Sequence, residues 1–245
     1  MNNRRFRLVG IVVVIVVVLV AGGVAYASHF ASTTTQAQTH KAAGPIIVPT
    51  ATATTASSAT STTASTLRTF TIVPAQTTAS YSVYENLILQ NKPNNDAIGT
   101  THSVQGSFKV QTGSSPTIEG MKIQVDLRTI QSDSTIRDNY MRQNSLQTDT
   151  YPYATFVLVS TKGLPLSYSD GQTVHCQLIG NMTMHGKTNK EVFDLQGKIV
   201  GNTITGTATS TVYLTDFGIQ PPNLANIVIV QNKVVVTLTF TAKEA

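Results

Sequence analysis

The 245-residue chain has no tryptophan, one cysteine and few charges: Asp, Glu, Lys and Arg make up 12% of it, about half the usual share. The lone Cys176 excludes an internal disulfide framework and any multi-cysteine metal or iron–sulfur site. Low charge combined with 41% apolar residues excludes a chain disordered throughout. No acidic residue occurs before Glu85, whereas five basic ones do: Arg4, Arg5, Arg7, Lys41 and Arg68. From residue 85 onward 12 Lys and Arg face 12 Asp and Glu, so the net charge of +5 belongs to the leading segment and not to a binding face. Nucleic-acid binding loses its electrostatic basis, and no nucleic-acid partner is expected. The chain also lacks G-x-S-x-G, H-E-x-x-H, a P-loop and G-x-G-x-x-G. Three histidines follow residue 66: His102, His175 and His185. None has a second histidine at ligand spacing on one strand face. His175 and Cys176 are adjacent, so in a strand they point to opposite faces and form no nucleophilic dyad. No catalytic residue, metal ligand or cofactor is assigned, and the chain is not read as an enzyme.

What is present falls into three zones. In residues 1–27, Arg4, Arg5 and Arg7 precede an uncharged run over 8–27 whose centre, 11–20, is entirely Ile, Val and Leu. Twenty residues at about 1.5 Å each just span a bilayer core of about 30 Å, with the arginines on the cytoplasmic side. This reads as an N-terminal transmembrane helix, a single-pass anchor through residues 8–27. Ala25-Tyr26-Ala27 also resembles a signal-peptidase site, and cleavage near Ala27 would give a secreted protein instead. Both readings place the rest of the chain outside the cytoplasm. Residues 28–66 hold 18 Ser or Thr among 39, no acid and no apolar periodicity, which reads as a flexible, disordered linker. As a coil it would span about 35 Å root-mean-square.

Residues 67–245 form the expected folded domain. Tyr81 and Val83 alternate with polar neighbours, as do Val104, Gly106, Phe108 and Val110, and then Met121, Ile123, Val125 and Leu127. Period 2 marks half-buried antiparallel strands. Further strands are expected over 154–160, 174–184, 191–200, 203–214, 227–230 and 233–241. Turn signals separate them at 112–116, 169–171 and Gly201-Asn202, the last a two-residue hairpin turn. One stretch, 132–146, has helical spacing. Asp133 or Ser134 can cap it, and Asp133–Arg137 and Asp138–Arg142 are i,i+4 pairs with the acid first. Many strands with one helix fit a sandwich or a closed barrel, and closure removes the sheet edges. About eight strands leave room for one small ligand.

Ordered motifs run through this domain. Ser132-Asp133 is followed by Arg137-Asp138, and Tyr151-Pro152-Tyr153-Ala154-Thr155-Phe156 enters a strand. Gly180-Asn181-Met182-Thr183-Met184-His185-Gly186-Lys187-Thr188-Asn189-Lys190 follows, then Asp216-Phe217-Gly218-Ile219 and a final alternating strand. This series resembles the YceI-like family of extracytoplasmic, lipocalin-like proteins and covers about residues 69–242. The resemblance implies an antiparallel β-barrel closed around an apolar tunnel that takes polyisoprenoid chains or similar long amphiphiles, with no catalysis established for the family as a class. Three places depart from the family pattern. Met182-Thr183-Met184 stands for L-T-I, Thr188-Asn189-Lys190 is one residue longer than T-K, and Pro74–Thr78 replaces an early His-Ser pair.

The expected product is therefore an all-β, lipocalin-like barrel with one short helix, preceded by the anchor and the linker. Its ligand would be a long-chain isoprenoid or other amphiphilic lipid. The expected ligand-binding residues are Tyr81, Val83, Val104, Phe108, Ile123, Val125, Leu127, Phe156, Leu158, Leu178, Met182, Val212, Leu214, Val236 and Leu238. Two alternatives stand beside this reading. One is a structural or stress-related surface module whose barrel is filled by its own side chains. The other is an enzyme acting on a bound lipid, which needs His102 or His185 inside the tunnel beside an acid. The sequence assigns no oligomeric state.

Overall fold

The computed structural model describes residues 67–245; the readings of 1–27 and 28–66 lie outside the described residues. In chain order the elements are β1 (Leu67–Ile72), β2 (Thr78–Leu87), β3 (Lys92–Thr101), β4 (Val104–Gln111), β5 (Gly113–Ser114), β6 (Thr117–Asp126) and β7 (Gln131–Ser132). Then come α1 (Thr135–Tyr140), β8 (Tyr153–Lys162), β9 (Ser167–Tyr168), β10 (Val174–Met184), β11 (Lys187–Val200), β12 (Thr203–Tyr213), β13 (Asn223–Leu224) and β14 (Val228–Glu244). The period-2 runs become strands with their apolar parity facing inward. The expected strands 227–230 and 233–241 fuse into the single long β14, with a register shift between Val230 and Val234. Gly201-Asn202 makes the β11–β12 hairpin, flanked by the pair Val200 and Thr203.

Eight strands close a barrel in the order β1-β4-β6-β8-β10-β11-β12-β14, and β14 pairs back onto β1. All neighbouring pairs are antiparallel. β14 reaches far enough to serve two partners on one edge. Its first part registers with β2, from Val228 opposite Leu87 to Thr239 opposite Thr78, and its last residues register with β1. The break between β1 and β2 is a 3-10 turn starting at Pro74, a residue with no N–H to offer a ladder. Buried Thr77 repairs the break: the Thr241 N–H donates to its Oγ1 at 3.3 Å. β2 and β3, joined by β7, flare as a flap at one end of the barrel.

The two ends differ. At one, Arg68 donates to Glu244 (2.6 and 3.0 Å), to the Gly201 carbonyl (2.8 Å) and to Asn202 (3.1 Å), tying β1 and β14 to the β11–β12 turn. Phe70 and Phe108 stack there with centroids 6.1 Å apart, and Phe108 meets Phe240 edge-on at 6.2 Å. This end is filled by its own side chains. The other end is open and carries the flap, α1 and the β13–β14 turn.

The helix is shorter than the sequence spacing suggests. After Tyr140 it passes into a π-turn over Met141–Ser145, closed by the Leu146 N–H donating to the Met141 carbonyl at 2.8 Å. Ser134 caps its start, accepting from the Arg137 N–H. The expected Asp133–Arg137 pair forms. The expected Asp138–Arg142 pair does not. Buried Asp138 instead accepts from the Ser132 N–H (3.1 Å) and hydroxyl (2.7 Å), while Arg142 donates to Ile130 O and Asn139. A buried carboxylate gains more from those short local donors than from an exposed partner.

Candidate functional site

Inward parity from all sides of the barrel encloses a cavity of about 620 Å³ at the open end. Thirteen of the fifteen expected residues line it: Tyr81 and Val83 from β2, Phe108 from β4, Ile123 and Val125 from β6, and Leu127 from the turn after β6. Phe156 comes from β8, Leu178 and Met182 from β10, Val212 from β12, Leu214 from the turn after β12, and Val236 and Leu238 from β14. Val104 and Leu158 lie outside the lining. Val104 is wholly enclosed within the wall at the start of β4. Leu158 sits at the register slip where β10 passes from Ile179 to Gly180, half-buried against the core.

Several lining residues were not anticipated. Met121, Met184 and Phe240 already stand with inward parity inside the expected strands, and only the list of ligand-binding residues left them out. Glu85 continues the Tyr81-Val83 parity and turns a carboxylate inward at the mouth. Two rings gain their place from missing side chains. A Cβ on Gly99 would stand 2.3 Å from the Tyr81 ring, and one on Gly206 would stand 3.0 Å from the Phe240 ring.

The floor of the cavity is Phe108, Met121 and Phe240. All three also line a second, small void of about 70 Å³ on the filled side. Cys176 borders only that void, buried, with its thiol pushed up by desolvation. The charged side chains of the main cavity, Glu85, Lys92, Asp133 and Arg137, gather at the mouth. Buried Glu85 accepts from Arg137 Nη2 at 2.6 Å and from Asn95 at 3.0 Å. Arg137 also donates to Asp133 and, at 2.9 Å, to Ser132. Burial alone would weaken the guanidinium charge, but Glu85 and Asp133 outweigh it and hold its pKa above the ordinary value. Tyr81 Oη is buried beside this cluster without a hydrogen bond, and burial pushes its pKa up to about 12.

Neither His102 nor His185 lines the cavity. His102 Nδ1 lies 2.7 Å from the Thr77 carbonyl, and His185 Nδ1 lies 3.1 Å from the Phe217 carbonyl with its ring against Tyr151. Among the described residues no group of three or more His, Cys, Asp or Glu could hold a metal ion, and no helix is long and apolar enough to cross a membrane. The arrangement can take an apolar chain inward and leave a polar end at the mouth.

The YceI-like domain profile matches residues 70–242, nearly the whole barrel. No curated protein matches the sequence. Among solved structures, a polyisoprenoid-binding domain from Saccharophagus degradans, described as implicated in plant cell wall breakdown, superposes with a TM-score of 0.57. It is 14% identical and covers 74% of this chain and 100% of its own. BcnA of Burkholderia cenocepacia superposes with a TM-score of 0.52 at 15% identity, covering 70% of this chain and 99% of its own. At these identities the likeness is one of fold.

Proposed function

The chain belongs to the YceI-like domain family, and from that premise we propose that its barrel sequesters the apolar chain of a polyisoprenoid-type lipid outside the cytoplasmic membrane. The observation that carries the reading is the apolar cavity of about 620 Å³. Ligand pockets commonly run from about 300 to 1,000 Å³. Each buried methylene gains about 0.8 kcal/mol, so a dozen gain about 10 kcal/mol gross. Association takes back about 4 kcal/mol or more, which leaves affinity rising with chain length and tolerant of the polar end. The thirteen lining residues named above are the contacts in this reading. The run over 8–27 holds the protein at the membrane, and residues 28–66 set the barrel off from it. The filled-barrel alternative describes the closed end alone. The two methionines of β10, Met182 and Met184, give the wall side chains that adapt to an irregular ligand.

Lipid extraction and mass spectrometry of the purified protein test this, followed by competition among prenyl alcohols of graded length. Co-purified long-chain lipid and tighter binding of longer chains are expected. An empty barrel with no length dependence ends the proposal.

The floor sets the length limit. Truncating Phe240 to alanine joins the small void to the main cavity and moves the preferred chain length upward, at a stability cost of about 3–5 kcal/mol. The graded competition reads the shift directly. An unmoved optimum would show that Phe240 is not the stop.

A further inference from the structure

The mouth of the cavity is ringed by large apolar side chains that the fold leaves in water. Ile136, at the start of α1, is 84% exposed, and Leu89, at the tip of the β2–β3 turn, is 75% exposed. Ile88 and Ile227 are also exposed and are tied together, since the Ile88 N–H donates to the Ile227 carbonyl at 2.9 Å. Ile136 and Ile227 belong to the cavity lining itself, so the apolar surface runs unbroken from the inside of the barrel over its lip. The turn is built to present Leu89. A 3-10 turn over Ile88–Gln90 ends on Asn91 in the left-handed conformation, φ 51°, leaving Leu89 at the apex with nothing over it.

We propose that this rim docks the open end of the barrel against a lipid bilayer. The inference rests on the lipid-carrier reading and adds where the ligand enters. A long apolar chain that left a membrane for a distant barrel would cross water with its methylenes exposed, each opposed by the hydrophobic effect. A mouth seated in the bilayer surface removes that crossing, and exposed apolar residues at the lip are what such a seat requires.

Charge decides between a bilayer held by its apolar part and one held by anionic headgroups. Arg137 spends its guanidinium on Glu85, Asp133 and Ser132. Lys92 is the other cation of the lining and lies near Asp133. These two are the only cations of the lining among the described residues, so docking is driven by Leu89, Ile136 and their neighbours and responds little to salt.

The chain outside the described residues permits this orientation. Leu67 enters the barrel at the filled end, opposite the mouth, where β1 begins beside Gln111. A tether attached there must run back along the barrel for the mouth to face the membrane that holds residues 8–27. The longest described strand has 17 residues, at most about 60 Å. The 39 residues of 28–66 reach up to about 130 Å extended, twice that distance. A tether of ten residues would hold the mouth away.

The absence of tryptophan supplies the test, because one introduced tryptophan is then a unique reporter. The full chain carrying Leu89→Trp is reconstituted into vesicles of phosphatidylethanolamine and phosphatidylglycerol containing phosphatidylcholine brominated on its acyl chains. Leu166→Trp is the matched control, a 93% exposed position beside the β5–β9 pair at the filled end. Docking predicts blue-shifted emission and bromine quenching for Leu89→Trp, neither for Leu166→Trp, and the same result at high salt. Equal quenching at both positions, or quenching lost in salt, overturns it. A blue shift without bromine quenching also overturns it and puts a protein against the rim. The carrier reading fails separately: quenching with an empty barrel keeps the docking surface and removes the cargo, whereas cargo without quenching removes the docking surface alone.

Discussion

Replacing Leu178 by glutamate is expected to abolish lipid uptake. Leu178 is 4% exposed on β10, opposite Phe193 of β11, and faces the cavity among apolar neighbours. A carboxylate there has no partner, so it holds its proton, and its pKa climbs from about 4.3 toward the 8–9 or so reached by fully buried glutamates. Each unit of that rise is about 1.4 kcal/mol. The sign follows from which state releases the proton first. Below about pH 4 folded and unfolded chains are both protonated, and only packing is lost. As the pH rises the unfolded chain ionises first, so stability falls relative to the parent until the folded-state pKa is passed. By pH 8 the added penalty reaches about 5 kcal/mol. Melting curves across that range check the stability term, and mass spectrometry of extracted lipid checks uptake. Val125→Glu is a gentler companion, since Val125 is half-buried and its carboxyl can reach water. Both variants folded and both still loaded with lipid would remove these residues from the binding surface.

The second large effect is expected at the mouth. Arg137→Ala leaves Glu85, 3% exposed, facing the cavity with Asn95 as its remaining side-chain donor. Breaking a buried ion pair from one side costs about 3–5 kcal/mol, because the surviving charge stays buried without its counter-charge. For a domain of this size each kcal/mol moves the melting temperature by about 2–4 °C, so a fall of about 6–20 °C is expected. Adding Glu85→Gln to Arg137→Ala removes the stranded charge and recovers part of the loss. A single substitution costing under about 1 kcal/mol, or a double that recovers nothing, would show that the pair does not hold α1 to the barrel. The exposed partner Asp133 contributes far less, because solvent screens it.

The strands were legible because one face of nearly every strand is apolar. β1 escaped, because Leu67–Ile72 is short and offers only Phe70 and Ile72 as a buried alternating pair. β3 escaped as well, because Lys92-Pro93-Asn94-Asn95-Asp96 has no apolar alternation. Those residues become a strand through pairing with β2, a long-range cause invisible in the local pattern. Parity placed thirteen of the fifteen expected residues on the cavity, but parity says only which face, not how far along the barrel. Val104 and Leu158 have inward parity and sit where the wall closes or slips. The cavity was implied by the family resemblance and was not legible in the alternation. The same alternation fills the Phe70–Phe108–Phe240 end and empties the other, and the difference lies in which rings meet across the barrel. The mouth was unreadable for a different reason: Glu85 and Arg137 stand 52 residues apart and meet only because β2 and α1 share one rim.

The long β14 has a consequence for how the barrel comes into being. It follows every other described element in sequence, and among the described strands it alone joins β12 to both β1 and β2. Until its seventeen residues are available, β12 on one side and β1–β2 on the other present bare ladders that any passing strand can occupy. Assembly must therefore wait for β14 to be made, which makes it slow and dependent on distant contacts, with the half-made sheet vulnerable to aggregation meanwhile. A chain clipped before Val228 would be a seam without a zip.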